Sequence, residues 1–178
     1  MKKIITFFFV FSLLGAENKQ VAVKSLQKRG EVGNQLYYLP NHDVPFTGKA
    51  VAMWPNGQKM TEISYKDGKH HGLLSMWYEN GQWRRKVNFV DGKKDGVWKH
   101  WYENGQQSDQ LFYLGSFMVS AIVWKPNGEI CSMTDVNTGN GMMVKYTDEG
   151  MEWLRISYKD GEKRGYHFTY KDGEQLMN

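Results

Sequence analysis

Cysteine is all but absent. The only one is Cys131, so no disulfide can form within the chain, and no cysteine stands near residue 16, where a lipoprotein anchor would need one. A lone thiol of this kind reads as a small buried residue. A strong excess of one charge is lacking too: 23 basic against 19 acidic residues give +4, and without the first 16 residues the balance is 21 against 19, or +2. That excess is too small, and its lysines and arginines too scattered, for an electrostatic grip on nucleic acid. Nor is the apolar run Ile4 to Leu14, at eleven residues, long enough to span a bilayer, which takes roughly 20. Preceded by Lys2 and Lys3 and followed by Gly15-Ala16, it reads as a secretory signal over residues 1–16. The expected location is therefore outside the cell or in the periplasm or cell envelope.

Catalytic motifs are missing as well. The sequence has no nucleophile elbow, zinc-protease motif, dinucleotide fingerprint, phosphate loop or calcium loop. Of the histidines His42, His70, His71, His100 and His167, the adjacent His70 and His71 point to opposite faces of a strand and cannot chelate one ion. His71 occupies a variable polar slot that holds Thr47 and Asp95 in the neighbouring units. His100 is placed opposite Asp109 and reads as a cross-strand polar contact, since no nucleophile is partnered with it. No enzyme, metal or cofactor is expected.

Aromatic residues, by contrast, make up 15% of the chain and hydrophobic residues 40%, enough for a packed interior. They are distributed in a repeat. His71-Gly72 leads to Trp77-Tyr78-Glu79-Asn80-Gly81-Gln82, and 24 residues later Asp95-Gly96 leads to Trp101-Tyr102-Glu103-Asn104-Gly105-Gln106. Units of this size cannot bury an apolar side alone and must stack on one another. Turn dipeptides punctuate the chain at Asn56-Gly57, Asp67-Gly68, Asn80-Gly81, Asp91-Gly92, Asn104-Gly105, Asn127-Gly128, Glu149-Gly150, Asp160-Gly161 and Asp172-Gly173. The runs between them have strand length and no helical period. The expectation is an all-β repeat protein, an extended antiparallel meander of about 11 to 13 strands. Residues 17–45 hold two weak strands, and residues 46–178 form units near 46–69, 70–93, 94–117, a divergent 118–140, 141–162 and a cap at 163–178.

Treating each Asn-Gly as a two-residue type I′ loop gives the register. Tyr78 then faces Trp83, Met76 faces Arg85, Leu74 faces Val87 and Gly72 faces Phe89 on an apolar side. Trp77 faces Arg84, Ser75 faces Lys86 and Leu73 faces Asn88 on a polar one. The same arithmetic puts Gly48, Gly96 and Gly141 opposite Tyr65, Tyr113 and Tyr158, so that rings cover bare backbone. A valine at Gly72 is expected to overpack beneath Phe89. About Asp67-Gly68, Ile63 is placed with Gly72 and Thr61 with Leu74. An even period keeps every unit the same way up. The divergent unit puts Asp135 opposite Ser120, with a bulge or distortion.

The phrase Gly-x-x-x-x-Trp-Tyr-Glu-Asn-Gly-Gln, followed by an aromatic residue, Asp-Gly-Lys and the next glycine, resembles the variant MORN repeat of bacterial YwqK-type antitoxins, and Pro45-Phe46-Thr47-Gly48-Lys49 resembles the opening of their first repeat. The resemblance covers about residues 36–175 and implies a non-enzymatic protein that binds and neutralises a partner, such as a toxin. The residues themselves offer a polar-face stripe for that partner: Trp77, Arg84, Lys86, Lys99, Trp101, Tyr146, Trp153 and Arg155. A covering second layer over these rings is the competing arrangement. Envelope glycan binding by spaced rings, or a membrane-surface scaffold, are the alternative functions.

Overall fold

Two turn chemistries alternate along the chain and set its register. The computed structural model describes residues 19–168, 170–171 and 174–175, so the expected signal at 1–16 lies outside the described residues. Asp-Gly turns are two-residue type I′ loops: φ is +48° and +75° at Asp67 and Gly68, and +49° and +80° at Asp91 and Gly92. Asn-Gly turns differ from the expectation. Tyr78 N–H donates to the Gln82 carbonyl at 2.9 Å and Gly81 N–H donates to the Tyr78 carbonyl at 3.0 Å. Only Gly81, at +83°, is left-handed there. This is a three-residue loop, a type I turn closed by a glycine bulge.

Sixteen strands result among the described residues. They are β1 (Gln20–Ala22), β2 (Gln27–Arg29), β3 (Leu36–Tyr38), β4 (Gly48–Met53), β5 (Lys59–Lys66), β6 (Lys69–Trp77), β7 (Trp83–Val90), β8 (Lys93–Lys94) and β9 (Gly96–Trp101), then β10 (Gln107–Leu114), β11 (Phe117–Val123), β12 (Gly141–Tyr146), β13 (Glu152–Lys159), β14 (Glu162–Phe168), β15 (Tyr170–Lys171) and β16 (Glu174–Gln175). The count exceeds the expected range partly because several are two or three residues long and Asp95 separates β8 from β9. A long sheet runs β1-β4-β5-β6-β7-β9-β10-β11, and a short one runs β12-β13-β14. The all-β hairpin repeat is as expected. One pairing is not antiparallel: β1 runs parallel to β4.

The three-residue loop shifts partners near the turn by one, and a bulge then restores the register. Trp77 pairs with Trp83, not Arg84, whereas Met76 pairs with Arg85, so Arg84 is the extra residue. Trp101 pairs with Gln107, not Ser108, and Tyr146 pairs with Glu152, not Trp153. Met60, Ser108 and Trp153 are thus the corresponding bulged residues of their hairpins. A second irregularity next to Gly72 moves Ile63 opposite Leu74 and Thr61 opposite Met76, rather than Gly72 and Leu74. Beyond these bulges the expected pairs hold, including Gly48, Gly72, Gly96 and Gly141 opposite Tyr65, Phe89, Tyr113 and Tyr158.

Gly72 sits at φ +84°, and a Cβ built there would meet only Ser64 Cβ, at 3.7 Å. The glycine is required by the backbone twist of the bulge, not by the ring of Phe89. Gly72→Ala is therefore expected to cost about 1–2 kcal/mol, and Gly72→Asn less, because asparagine tolerates the left-handed region. Thermal melts of the two variants check this; an asparagine variant less stable than the alanine one would restore the overpacking explanation.

Alternation then gives the long sheet an inner and an outer face. On the inner face Ala50, Ile63, Leu74 and Val87 form one rung across four strands, and Trp98, Leu111 and Ala121 another across three. Beside them runs a ladder of rings: Phe46 to Tyr65 at 5.7 Å, Tyr65 to His70 at 4.9 Å, His70 to Phe89 at 5.2 Å, Phe89 to Trp98 at 5.2 Å and Trp98 to Tyr113 at 5.0 Å. Edge and tilted contacts at these separations add to apolar burial. Lys94 Nζ lies 4.8 Å from the Trp98 ring centre and 4.7 Å from that of Tyr113.

Both ends of the inner face are covered. Val21, Val23, Leu26, Tyr37 and Leu39 close it over Phe46, Ala50 and Tyr65. At the other end the divergent segment breaks the long sheet. Asp135 does not face Ser120, which pairs with Phe112; its N–H donates to the Met142 carbonyl at 3.0 Å and its Oδ1 accepts from Met142 N–H at 2.6 Å. The short sheet begins there, and its Met143, Leu154, Ile156 and Tyr158 join Val87, Trp98, Leu111 and Tyr113 in one core. Cys131 is buried in that core, as expected of a small apolar residue.

Side chains tie each unit to the next at the Asn-Gly edge and close each unit on itself at the other. Trp54 Nε1 donates to the Trp77 carbonyl at 3.1 Å, the Tyr78 hydroxyl to the Trp101 carbonyl at 2.7 Å, and the Tyr102 hydroxyl to the Trp124 carbonyl at 2.7 Å. The turn residues Asn56, Asn80 and Asn104 donate to the carbonyls of Glu79, Glu103 and Pro126. At the opposite edge Thr47 and Asn140 accept from the backbone N–H of Asp67 and Asp160. His71 Nδ1, in the same slot, lies 3.4 Å from Asp91 N. The variable polar slot therefore closes a hairpin unit on itself, tying its first strand to its Asp-Gly end.

Candidate functional site

The structure distributes the expected stripe over three surfaces. Trp77, Lys86 and Lys99 lie on the outer face of the long sheet. Trp77 stacks on Trp83, centroids 4.7 Å apart, Lys86 Nζ sits 3.5 Å above the Trp83 ring, and Lys99 is the cross-strand partner of Lys86. Trp83, placed on the apolar side by the sequence register, belongs here because of the bulge. Lys49 and Lys59 both hold Glu62 on this face, at 2.9 and 2.7 Å, and their ammonium groups keep its carboxyl below the usual range.

Around these charges the outer face is apolar and uncovered. Leu73, Val97, Phe112, Leu114, Phe117 and Ile122 are 50, 46, 40, 65, 51 and 43% exposed. Val97 pairs with Phe112, and Leu114 with Phe117, so the side chains are neighbours. Among the described residues the N-terminal segment covers the inner face instead. Exposed apolar side chains grouped in this way are suited to contact with another surface.

Arg84, Tyr146 and Trp153 belong to a different place, a cleft of about 300 Å³ at the Asn-Gly edge between the inner face and the short sheet, which Trp101, the counterpart of Trp77 and next to the inward His100, only borders. The bulge puts Arg84 beside Arg85 at the cleft wall, and Trp153 beside Leu154. Re-aiming one side chain is what such bulges do. Tyr146 and Trp153 pack against the common core, with the Tyr146 hydroxyl 3.2 Å from the Cys131 sulfur. Arg155 is on neither surface: it grips Glu152 through Nε and Nη2 at 2.5 and 3.1 Å, near Met142 and Tyr166.

The floor of the cleft is polar, with His100 and Asp109 largely buried and Arg85 beside them exposed to solvent. Arg85, His100 and Asp109 occupy successive strands of one inner rung. His100 Nδ1 contacts Asp109 Oδ1, the pairing expected from register, and Lys145 Nζ reaches Asp109 Oδ2 at 2.8 Å from β12. Asp109 is only 3% exposed. Burial alone would push its carboxyl up, but the Lys145 ammonium and the His100 contact outweigh that and hold it below the usual carboxylate range. Burial pushes His100 down, Asp109 opposing and Lys145 and Arg85 assisting, so His100 is neutral with Nδ1–H donating to the carboxylate. Among the described residues no cluster of three or more His, Cys, Asp or Glu is placed to hold a metal. Lys145 was not legible as part of this site.

His70, in the ring ladder, is also pushed down by burial and by Lys28. With both folded-state values below 6.5, the unfolded chain binds more protons in the window beneath 6.5. Stability is therefore expected to fall as pH drops from 7.5 to 5.5. Melting curves across that range check the sign, and His100→Gln is expected to flatten part of the slope.

The hairpins that carry Trp77 and Trp101 decide the comparison with known proteins. Residues 71–91 and 94–113 match the family model of the MORN repeat variant. No curated protein and no solved structure matches the chain. The hairpins of residues 46–69 and 141–162 lie outside the matched segments and share their geometry, with a glycine opposite an aromatic ring and the same bulge. A repeat of this type suggests a protein- or membrane-binding module.

Proposed function

We propose that the protein is a non-enzymatic protein-binding module whose partner sits on the outer face of the long sheet. The observation that carries this is the joint exposure of Leu73, Val97, Phe112, Leu114, Phe117 and Ile122 on one face of the MORN-variant units. Lys86 and Lys99 lie next to the patch, while Glu62, on the same face, is already held by Lys49 and Lys59. The complementary partner has an apolar surface with an acidic rim. The resemblance to YwqK-type antitoxins supports a toxin-like partner, held and thereby neutralised. The leader-like residues 1–16 support an exported protein that meets this partner outside the cytoplasm or in the envelope.

The test compares capture by the full chain and by Phe112→Ser/Leu114→Ser. Both residues are exposed, so the variant is expected to keep the wild-type melt and lose the specific partner. A folded double variant that retains the partner at wild-type affinity would sink the outer-face reading.

A further inference from the structure

The cleft at the Asn-Gly edge holds cations that the fold does not need. Arg84 is a bulged residue and Arg85 follows it, but the same bulge forms with Met60-Thr61, with Ser108-Asp109 and with Trp153-Leu154. Two neighbouring guanidiniums are therefore not a requirement of the hairpin. Neither has a carboxylate within ion-pair distance among the described residues, and Arg84 lies over the Tyr78 ring, 5.7 Å from its centre. Arg85 is exposed, yet its guanidinium is pushed down by partial desolvation against the cleft and by the charge of Arg84, as expected of two cations held side by side. Both are open to solvent along the cleft wall, so an anion can enter between them and meet two guanidinium forks.

The remaining charges of the cleft are already engaged. Lys145 is spent on Asp109, and Asp148 at the rim accepts from Glu103 N–H at 3.1 Å. Three cations, Arg84, Arg85 and Lys145, stand against the carboxylates of Asp109 and Asp148, with His100 neutral, so one positive charge is left over. One charge suits a carboxylate better than a phosphate dianion. The rings of Tyr78 and Trp153 in the lining give the body of such a ligand a surface to lie against.

We propose that the cleft binds a carboxylate of a polypeptide, a chain terminus or an acidic side chain, between Arg84 and Arg85. In taking the carboxylate from a polypeptide this shares the protein-binding reading; the affinity of the cleft for a carboxylate does not depend on the outer face. Both sources present the same planar anion, for which the arginine fork is shaped.

The experiment titrates the isotope-labelled full chain with four probes: a blocked tripeptide with a free terminal carboxylate, its C-terminal amide, an amidated tripeptide with one internal glutamate, and inorganic phosphate. Arginine Nε–H and tryptophan indole signals are followed by NMR. The expected result is a saturable shift of the Arg84, Arg85 and Trp153 signals with at least one carboxylate peptide and none with the uncharged amide. Response to the first peptide assigns a terminus, response to the third an acidic side chain. Arg84→Gln/Arg85→Gln is expected to weaken binding at least tenfold, and Lys66→Gln, exposed at the opposite, Asp-Gly edge, to leave it unchanged. A silent titration, equal shifts with the uncharged amide, tighter binding of phosphate, or full affinity in the double glutamine variant would each overturn the proposal. The outer-face reading would survive any of these, because the serine variants test it separately.

Discussion

Lys145→Met is expected to lower stability by about 3 kcal/mol and the melting temperature by roughly 6–12 °C. The substitution keeps an unbranched side chain, one atom shorter, and removes its charge. What it leaves is Asp109, 3% exposed, with no charged partner among the described residues and only the neutral His100 and the Ser108 hydroxyl in hydrogen-bond contact. A buried carboxylate stripped of its counter-charge is strongly destabilising, whereas removing both charges together is often neutral. The double variant Asp109→Asn/Lys145→Met is therefore expected to regain much of the loss.

The pH dependence adds a second signature. In the wild type Lys145 helps to push His100 down, so acid costs stability. Without that ammonium, His100 protonates more readily and becomes the missing counter-charge. The deficit of Lys145→Met relative to wild type is expected to shrink between pH 7.5 and 5.5. A deficit unchanged with pH, together with a double variant no more stable than the single one, would show that Lys145 acts by packing alone.

Trp98→Ala is expected to be costlier still, about 3–5 kcal/mol. Trp98 touches both Phe89 and Tyr113, so it joins the ring ladders of two successive units, and its Nε1 donates to the Asn88 carbonyl at 2.9 Å. Removing it opens a cavity at the place where the long sheet, through Val87 and Leu111, meets Met143 and Ile156 of the short one. Because the units stabilise one another through such contacts, the loss is expected to be felt by the whole array. Denaturant unfolding followed both by fluorescence and by far-ultraviolet circular dichroism checks it. A loss under 1.5 kcal/mol would remove the ladder from the account of stability.

The spacing of turns made the hairpins, the four glycine-aromatic pairs and the His100-Asp109 contact legible in advance. All of these depend on sequence-local arithmetic within one hairpin. The Asn-Gly turns were misread because the dipeptide suits a type I′ loop as well as the end of a type I turn. Pro55 and Pro126 are the signal that separates them: proline presets the second position of a type I turn, and each stands directly before an Asn-Gly. That single residue of loop length carries over into function. It moves Trp83 onto the outer face, moves Arg84 into the cleft, and divides the expected stripe between two sides of the sheet. Lys145 had no such signal. It lies 36 residues from Asp109 and on another sheet, beyond the reach of hairpin register.

The central claim is that every unit turns the same side inward, leaving the other open to a partner. Hydroxyl-radical footprinting of the free full chain, read residue by residue along β10, tests it most directly. The predicted result is strong labelling of Phe112 and Leu114 and protection of Leu111 and Tyr113, the alternation of 40 and 65% exposure against 4 and 4%. Equal protection of all four residues would contradict the account, since a second layer would then close the face on which the partner is placed.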